Sequence, residues 1–249
     1  MNKTEYLRMA EQEESYWWHL GRLRIIETYL AKVVDSRMGI CMLNVGCGTG
    51  STVPTLEKYG EVNNVDVSEY AILHMLRRGY SRVRKTNGVG LPYSEKSFDV
   101  ICSFDVLEHI EDDVAALAEW RRVLKTDGAI ILTVPAYQWL WSGHDVALHH
   151  RRRYTRKLLK DVASAAGLDV DKASYAIVFS LPLLASVRMI QKIIKPKGAP
   201  ESSYIRLPGW INWIFKNLLY FEAGVHRHLT FPAGSSVVAI LRRTDGVLN

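Results

Sequence analysis

From Gly39 onward the chain alternates apolar runs of strand length (ICMLNV, EVNNVDV, FDVICSF, GAIILTV) with stretches of helical spacing. That alternation predicts parallel strands joined by crossover helices, an open α/β sheet with helices on both faces. VAALAEWRRVLKTDG reads as an amphipathic helix running to Gly128, with cations in its last turn where the helix dipole favours them. Further on, AAGLDVDKASYAIVF predicts a strand, SLPLLASVRMIQKII and GWINWIFKNLLYFEAGV two helices around the loop KPKGAPESSY, and SSVVAILRR a closing strand. Upstream, SYWWHLGRLRIIETYL has a helical pattern with aromatics at its start. The pattern divides one domain, 1–249, into a helical cap at 1–36, the sheet, and a helical insertion or lid at 180–230 before the last strand. The run from Ala173 to Val187 is uncharged but holds Pro182 and is followed by Arg188 and Lys192. It falls short of the roughly 20 apolar residues of a membrane span. A lid, a homodimer face or a membrane-surface contact is the expected use of these helices.

Composition narrows the picture. With 249 residues, 48% of them hydrophobic, the chain can bury one substantial core but is short for two domains. Cys41, Cys47 and Cys102 are odd in number, lack CxxC spacing and lie in or beside apolar runs, which predicts buried free thiols. Free thiols and a mixed-charge, aromatic start without a cationic leader predict a cytoplasmic protein. The formal charge of +6 permits an anionic partner, and much of it is local, in the arginines at 151–153.

The segment LNVGCGTGST carries the clearest chemistry. A buried strand leads into Gly46, Gly48 and Gly50, which let the backbone turn sharply and approach a ligand closely. Asp66, at the tip of the next strand and roughly 20 residues beyond, is placed to accept both ribose hydroxyls of a nucleoside cofactor. Ser51 stands where a dinucleotide fingerprint would carry its third glycine, so that fingerprint is imperfect.

NVGCGTG, VDVS, GLPYSEKSFDVICSFDVLEHI and RRVLKTDGAIILTVP together resemble, in order and spacing, the motifs of class I S-adenosylmethionine-dependent methyltransferases of the ubiquinone-biosynthesis type, over about residues 40–135. The resemblance implies a Rossmann-like, mostly parallel seven-stranded sheet and S-adenosyl-L-methionine as cofactor. By position, Gly46, Cys47, Gly48 and Gly50 would wrap its methionine part, Asp66 would hold the ribose and Val67 would flank the adenine. Asn87 and Gly88 would read the adenine edge, and Phe104 would line the amino-acid end. Asn44 and Asn87 replace the usual carboxylates and keep acceptor capacity.

The last motif ends at Pro135, so SGHDVALHHRRRYTRKLLKD leaves the sheet on the rim that holds the glycine loop, where ligands bind in such folds. Its GHD resembles the corresponding loop of ubiquinone-type O-methyltransferases. An alcohol or phenol acceptor needs a base titrating near neutrality, which histidine supplies. His144, oriented by Asp145, is the first candidate and His150 the second. Arg152 and Arg153 could pair with a carboxylate or phosphate on the acceptor, and Tyr154 could close the pocket. Trp17, Trp18 and His109 complete the expected acceptor side. The histidines show no HExxH or CxxC spacing, so no metal is expected. The expected acceptor is a small-molecule, glycan or lipid-linked compound, methylated at oxygen. An RNA or protein acceptor is the alternative, disfavoured by the lack of an appended nucleic-acid module; a non-catalytic cofactor-binding scaffold is the other, and DNA is not expected.

Overall fold

The computed structural model describes residues 13, 15–35, 38–194 and 207–246. Residues 1–12, 14 and 36 of the expected cap, and the loop KPKGAPESSY within 180–230, lie outside the described residues. Seven strands form one sheet in the order β3-β2-β1-β4-β5-β7-β6. β1 (Ile40–Val45), β2 (Gly60–Asp66), β3 (Val83–Lys85), β4 (Phe98–Phe104) and β5 (Leu124–Pro135) are parallel neighbours. β7 (Ser236–Arg243) runs antiparallel between β5 and β6 (Leu168–Ala176).

Both faces of the central strands are apolar because both are covered. Leu43, Val45, Ile130 and Leu132 point to a core built with Leu117 and Trp120 of α4 (Asp113–Val123) and with Leu159 and Ala163 of α6 (Arg156–Ala165). Met42, Ile131 and Ile240 point to a second core, built with Ile25, Ile26 and Tyr29 of α1 (Trp17–Val34) and with Leu219 and Ala223 of α8 (Gly209–Val225). α1 and α8 pack closely: a Cβ on Gly21 would overlap the Leu219 side chain. Thr28 Oγ1 donates to Ala223 O at 3.2 Å across the same contact. Glu222 of α8 is fully buried and accepts the N–H groups of Ile177 and Val178 at 2.5 and 2.9 Å, which fixes the exit from β6 into α7 (Leu181–Ile194).

Two elements differ from expectation. The helix expected to run to Gly128 stops at Val123, because Leu124 already pairs with Phe98 and residues 124–128 open β5. The helix after the glycine loop, α2 (Val53–Leu56), is a single turn; α3 (Glu69–Arg77), after β2, is capped by Ser68, whose hydroxyl accepts from Ala71 N. Among the described residues no helix is long and apolar enough to cross a membrane.

Candidate active site

Beyond Val45 the chain turns at Gly46, and the N–H groups of Gly46 and Cys47 both donate to Val65 O, at 2.8 and 3.0 Å. Gly46, Gly48 and Gly50 have φ of 73°, 55° and 85°, a region that strains any other side chain. A Cβ on Gly46 would also overlap Val106, so the loop rests directly on the turn that follows β4. Asp66 ends β2 with its carboxylate turned to the loop: Oδ2 accepts from Gly48 N at 2.9 Å and Oδ1 from Ser68 N at 2.8 Å. Below it the buried Asn44 donates to Asn64 Oδ1 at 3.0 Å and braces β1 against β2. Cys47 is buried, and burial, with the Asp66 charge behind it, pushes its thiol far up.

Val67 is exposed beside Asp66, and Phe104 is buried at the end of β4. After β3, Asn87 Oδ1 accepts from the N–H groups of Val89 and Gly90, both at 3.1 Å, and so closes its own turn. Gly88 O accepts from Trp120 Nε1 at 2.8 Å. One residue here escaped the sequence reading. Glu13 is buried on the glycine loop and accepts from Thr49 Oγ1; burial raises its carboxyl above the ordinary range. No motif surrounds it, and only the fold brings it there.

The other half of the rim is built on the turn that follows β4. Asp105 follows β4 with φ 57° and pairs with Arg22 of α1, whose guanidinium lies 4.7 Å over the Trp18 ring. Trp17 packs on Phe215 of α8, with ring centroids 5.0 Å apart, so α1 carries the aromatic pair across to the C-terminal helices. The turn Leu107–His109 then receives the segment after α5 (Gly143–Ala147): Arg151 N donates to Glu108 O at 2.8 Å and Arg151 Nε to His109 O at 3.2 Å. This places the His109 and His150 rings edge to face, 4.7 Å apart, with His144 6.4 Å from His150. Tyr137 and His149, in the same loops, also have positive φ, 58° each, so the backbone cost of the fold gathers at this rim.

Asp145 does not orient His144 as expected. Its Oδ1 meets His150 Nδ1 at 2.9 Å, and its two oxygens take Arg153 Nε and Nη2 at 2.7 and 3.0 Å. It also accepts from Ser142 N at 2.9 Å, as the acidic half of the capping box of α5. Burial alone would raise Asp145, but the hydrogen bonds from His150 and Arg153 outweigh it and hold the carboxyl well below the carboxylate range. Arg153 and Arg152, expected to face an acceptor anion, are instead held by protein groups. Arg153 also donates to Ala136 O at 3.1 Å; Arg152 pairs with Asp113 at 2.8 Å and donates to Glu111 O at 2.5 Å. Tyr154 is fully buried with its hydroxyl on Asp113 at 2.8 Å, and burial pushes that hydroxyl far up.

Burial pushes His144 down to about 4 and His109 to about 4, and pushes His19 down to about 3. Glu108 moves the other way: burial, with the Asp105 charge added, pushes its carboxyl well above the ordinary range. From α7 the buried Arg188 faces the Arg153 and Asp145 charges, which makes α7 a wall of this rim.

A glycine turn beside an acid at the end of the neighbouring strand, on the carboxyl rim of a mostly parallel sheet, defines a nucleoside-cofactor-binding α/β enzyme. Residues 43–132 match the family model of the methyltransferase domain. A probable S-adenosylmethionine-dependent methyltransferase of Mycolicibacterium smegmatis is 29% identical over 164 residues, 64% of this chain and 62% of that protein. The demethylmenaquinone methyltransferase of Staphylococcus haemolyticus is 29% identical over 120 residues, 43% of this chain and 48% of its own. The solved structure of the YcgJ protein from Bacillus subtilis has the same fold, with a TM-score of 0.57, 17% identity, and 88% and 98% of the two chains covered. Residues 43–132 thus match a methyltransferase domain, and these comparisons support a class I S-adenosylmethionine-dependent methyltransferase, with S-adenosyl-L-methionine as the cofactor implied. The chain spans only 51% to 62% of the length of the first curated relatives it matches.

Proposed function

We propose that this protein transfers a methyl group from S-adenosylmethionine to an oxygen of a small-molecule, glycan or lipid-linked acceptor. One observation carries the reading: Gly46 of the cofactor loop packs against Val106, three residues before His109, whose ring touches His150. The glycine loop and the histidine cluster therefore stand side by side on one rim of the sheet, where an acceptor would meet the cofactor. The residues fit the cofactor: three glycines in the left-handed region let the backbone close around its methionine part, and the Asp66 carboxylate stands ready at the ribose. When bound, S-adenosylmethionine supplies a methyl group on a sulfonium, displaced in line by the acceptor oxygen. The protein has to align that oxygen, exclude water and remove a proton. Trp18, held by Arg22, and α7 with Arg188 cover this rim from the cap and the C-terminal side.

A lipid-linked acceptor is supported by the surface of the C-terminal helices, where Trp210, Trp213 and Phe221 are 68%, 62% and 65% exposed. Aromatic side chains of this kind settle at the interface between lipid and water. The relative from Staphylococcus haemolyticus is named for a lipid quinone acceptor. Calorimetry with S-adenosylhomocysteine tests the cofactor part. Asp66→Ala loses charge-assisted hydrogen bonds to two hydroxyls, so affinity is expected to fall at least about tenfold. Unchanged affinity would remove Asp66 from the cofactor site. Labelled-methyl transfer into lipid and glycan fractions of a cell extract tests the acceptor.

A further inference from the structure

Among the described residues, Glu108 is a buried acid whose carboxylate the fold does not explain. It is 0% exposed, and neither carboxylate oxygen has a hydrogen-bond partner among the described residues. A buried carboxylate in that position needs a cation or a proton. The Asp105, Arg22 and Arg153 charges act on it from further off, and the nearest facing groups are ring nitrogens: His150 Nε2 stands 3.9 Å from Glu108 Oε1, and one donor atom each of Glu108, His109 and His150 lie within 4.8 Å of one another.

We propose that Glu108, His109 and His150 bind one divalent transition-metal ion on the acceptor side of the rim. The two imidazoles are prepared for it from behind. Asp145 engages His150 through Nδ1, which leaves Nε2 with its lone pair toward Glu108. The backbone of His149 also hydrogen-bonds the His109 ring. A metal-bound histidine held at its far nitrogen by a carboxylate or a carbonyl is the usual arrangement, because the second contact fixes both tautomer and ring plane. Asp145 is fixed in turn by Arg153 and Ser142 N, so the support is three layers deep. Bonds of about 2.0–2.2 Å to an ion require the donors to draw together by roughly 1 Å. One carboxylate and two imidazoles favour zinc, iron or manganese over magnesium or calcium, and three protein ligands leave coordination positions open.

The use of that open position rests on the methyl-transfer reading, whereas the binding of the ion does not. An acceptor hydroxyl on the ion is acidified. Its O–H bond breaks with the proton passing to water, the carbon–sulfur bond of the sulfonium breaks, and the O–CH3 bond forms. The ion would activate the acceptor and His150 would then be its ligand.

The full chain, stripped with a chelator, is titrated with Zn2+ and with Mn2+ by calorimetry, and with Co2+ by visible absorption. One ion per chain is expected, with a rise in melting temperature. Glu108→Gln and His150→Gln should each weaken binding by about 100-fold or more, the upper end of what even a supporting partner is worth. Without metal, Glu108→Gln should melt no lower than the parent, since a neutral amide of the same shape replaces a buried carboxyl, so its loss of binding would not reflect misfolding. No ion bound at millimolar concentration, or an ion whose affinity neither variant changes, overturns the site. Binding of S-adenosylhomocysteine, measured in the same preparation, separates the two readings. If it binds and the metals do not, only the metal site fails; if the metals bind and it does not, only the cofactor reading fails.

Discussion

Asp145 holds His150, five residues ahead, rather than its neighbour His144: Oδ1 lies 2.9 Å from His150 Nδ1, while Arg153 takes both oxygens from the other side. A fully buried acid thus stands between an imidazole and a guanidinium.

Asp145→Asn should therefore cost stability as well as activity. Arg153 would be left buried opposite a neutral amide, and breaking such a pair from one side costs about 3–5 kcal/mol. Urea unfolding measures it, and the double variant with Arg153→Met should recover much of the loss. An unchanged midpoint would mean that water reaches the pair.

The contact of α1 with α8 makes a second prediction. Gly21→Ala forces a methyl group into the Leu219 side chain, and overpacking of this kind costs about 1–3 kcal/mol. Leu219→Ala makes its own cavity, so the double variant should lose less than the sum of the two. Strict additivity in a double-mutant cycle would place the two residues apart.

Acid stability should depend on His19, pushed down to about 3 by burial and then by the Arg22 charge. Its folded value lies below the unfolded value of about 6.5, so the unfolded state takes up the proton first. The contribution is complete above about pH 6.5 and fades as pH falls toward 3, with a slope of at most about 1.4 kcal/mol per pH unit. His19→Gln should flatten unfolding free energy against pH between 6.5 and 4. An equal slope in both proteins would mean that His19 is protonated in the native state.

Lipid contact through α8 can be tested at two exposed residues. Trp210→Ser with Trp213→Ser should weaken co-sedimentation with vesicles of anionic lipid while leaving the melting temperature within a degree or so, because neither ring is buried. Equal sedimentation of variant and parent would direct the search toward a water-soluble acceptor.

Much of the fold was legible because its signals are local. The apolar runs of strand length marked β1, β2, β4 and β5, and the glycines of 46–50 marked the turn that a cofactor loop needs. Helix α8 was legible end to end, since GWINWIFKNLLYFEAGV begins after Pro208 and closes at Val225. The end of α4 was not, because Leu124 has good helix propensity and only its pairing with Phe98 turns it into strand. β3 is three residues long and mostly exposed, too short for a pattern. The histidine cluster was legible as chemistry but not as geometry. The stretch 144–153 showed three histidines and an aspartate, yet nothing in it told that Asp145 would reach His150, or that Glu108, some forty residues earlier, would complete the group. Arg152 and Arg153 looked like ligands for a substrate anion because their acidic partners, Asp113 and Asp145, are visible only in three dimensions.

The place of β7 has a consequence for the order of assembly. β6 joins the sheet only through β7, which lies between it and β5. A chain emerging from a ribosome with residues up to about 235 exposed therefore carries β6 without a neighbour and α8 without its full floor, for Val238 and Ile240 belong to the core that α8 seals. The half of the sheet that carries the glycine loop can form early from local crossovers, whereas α7 and α8 must wait for a strand encoded after them. Nascent chains halted before and after that strand should differ sharply in resistance to protease across α7 and α8, and hardly at all across β1 to β4.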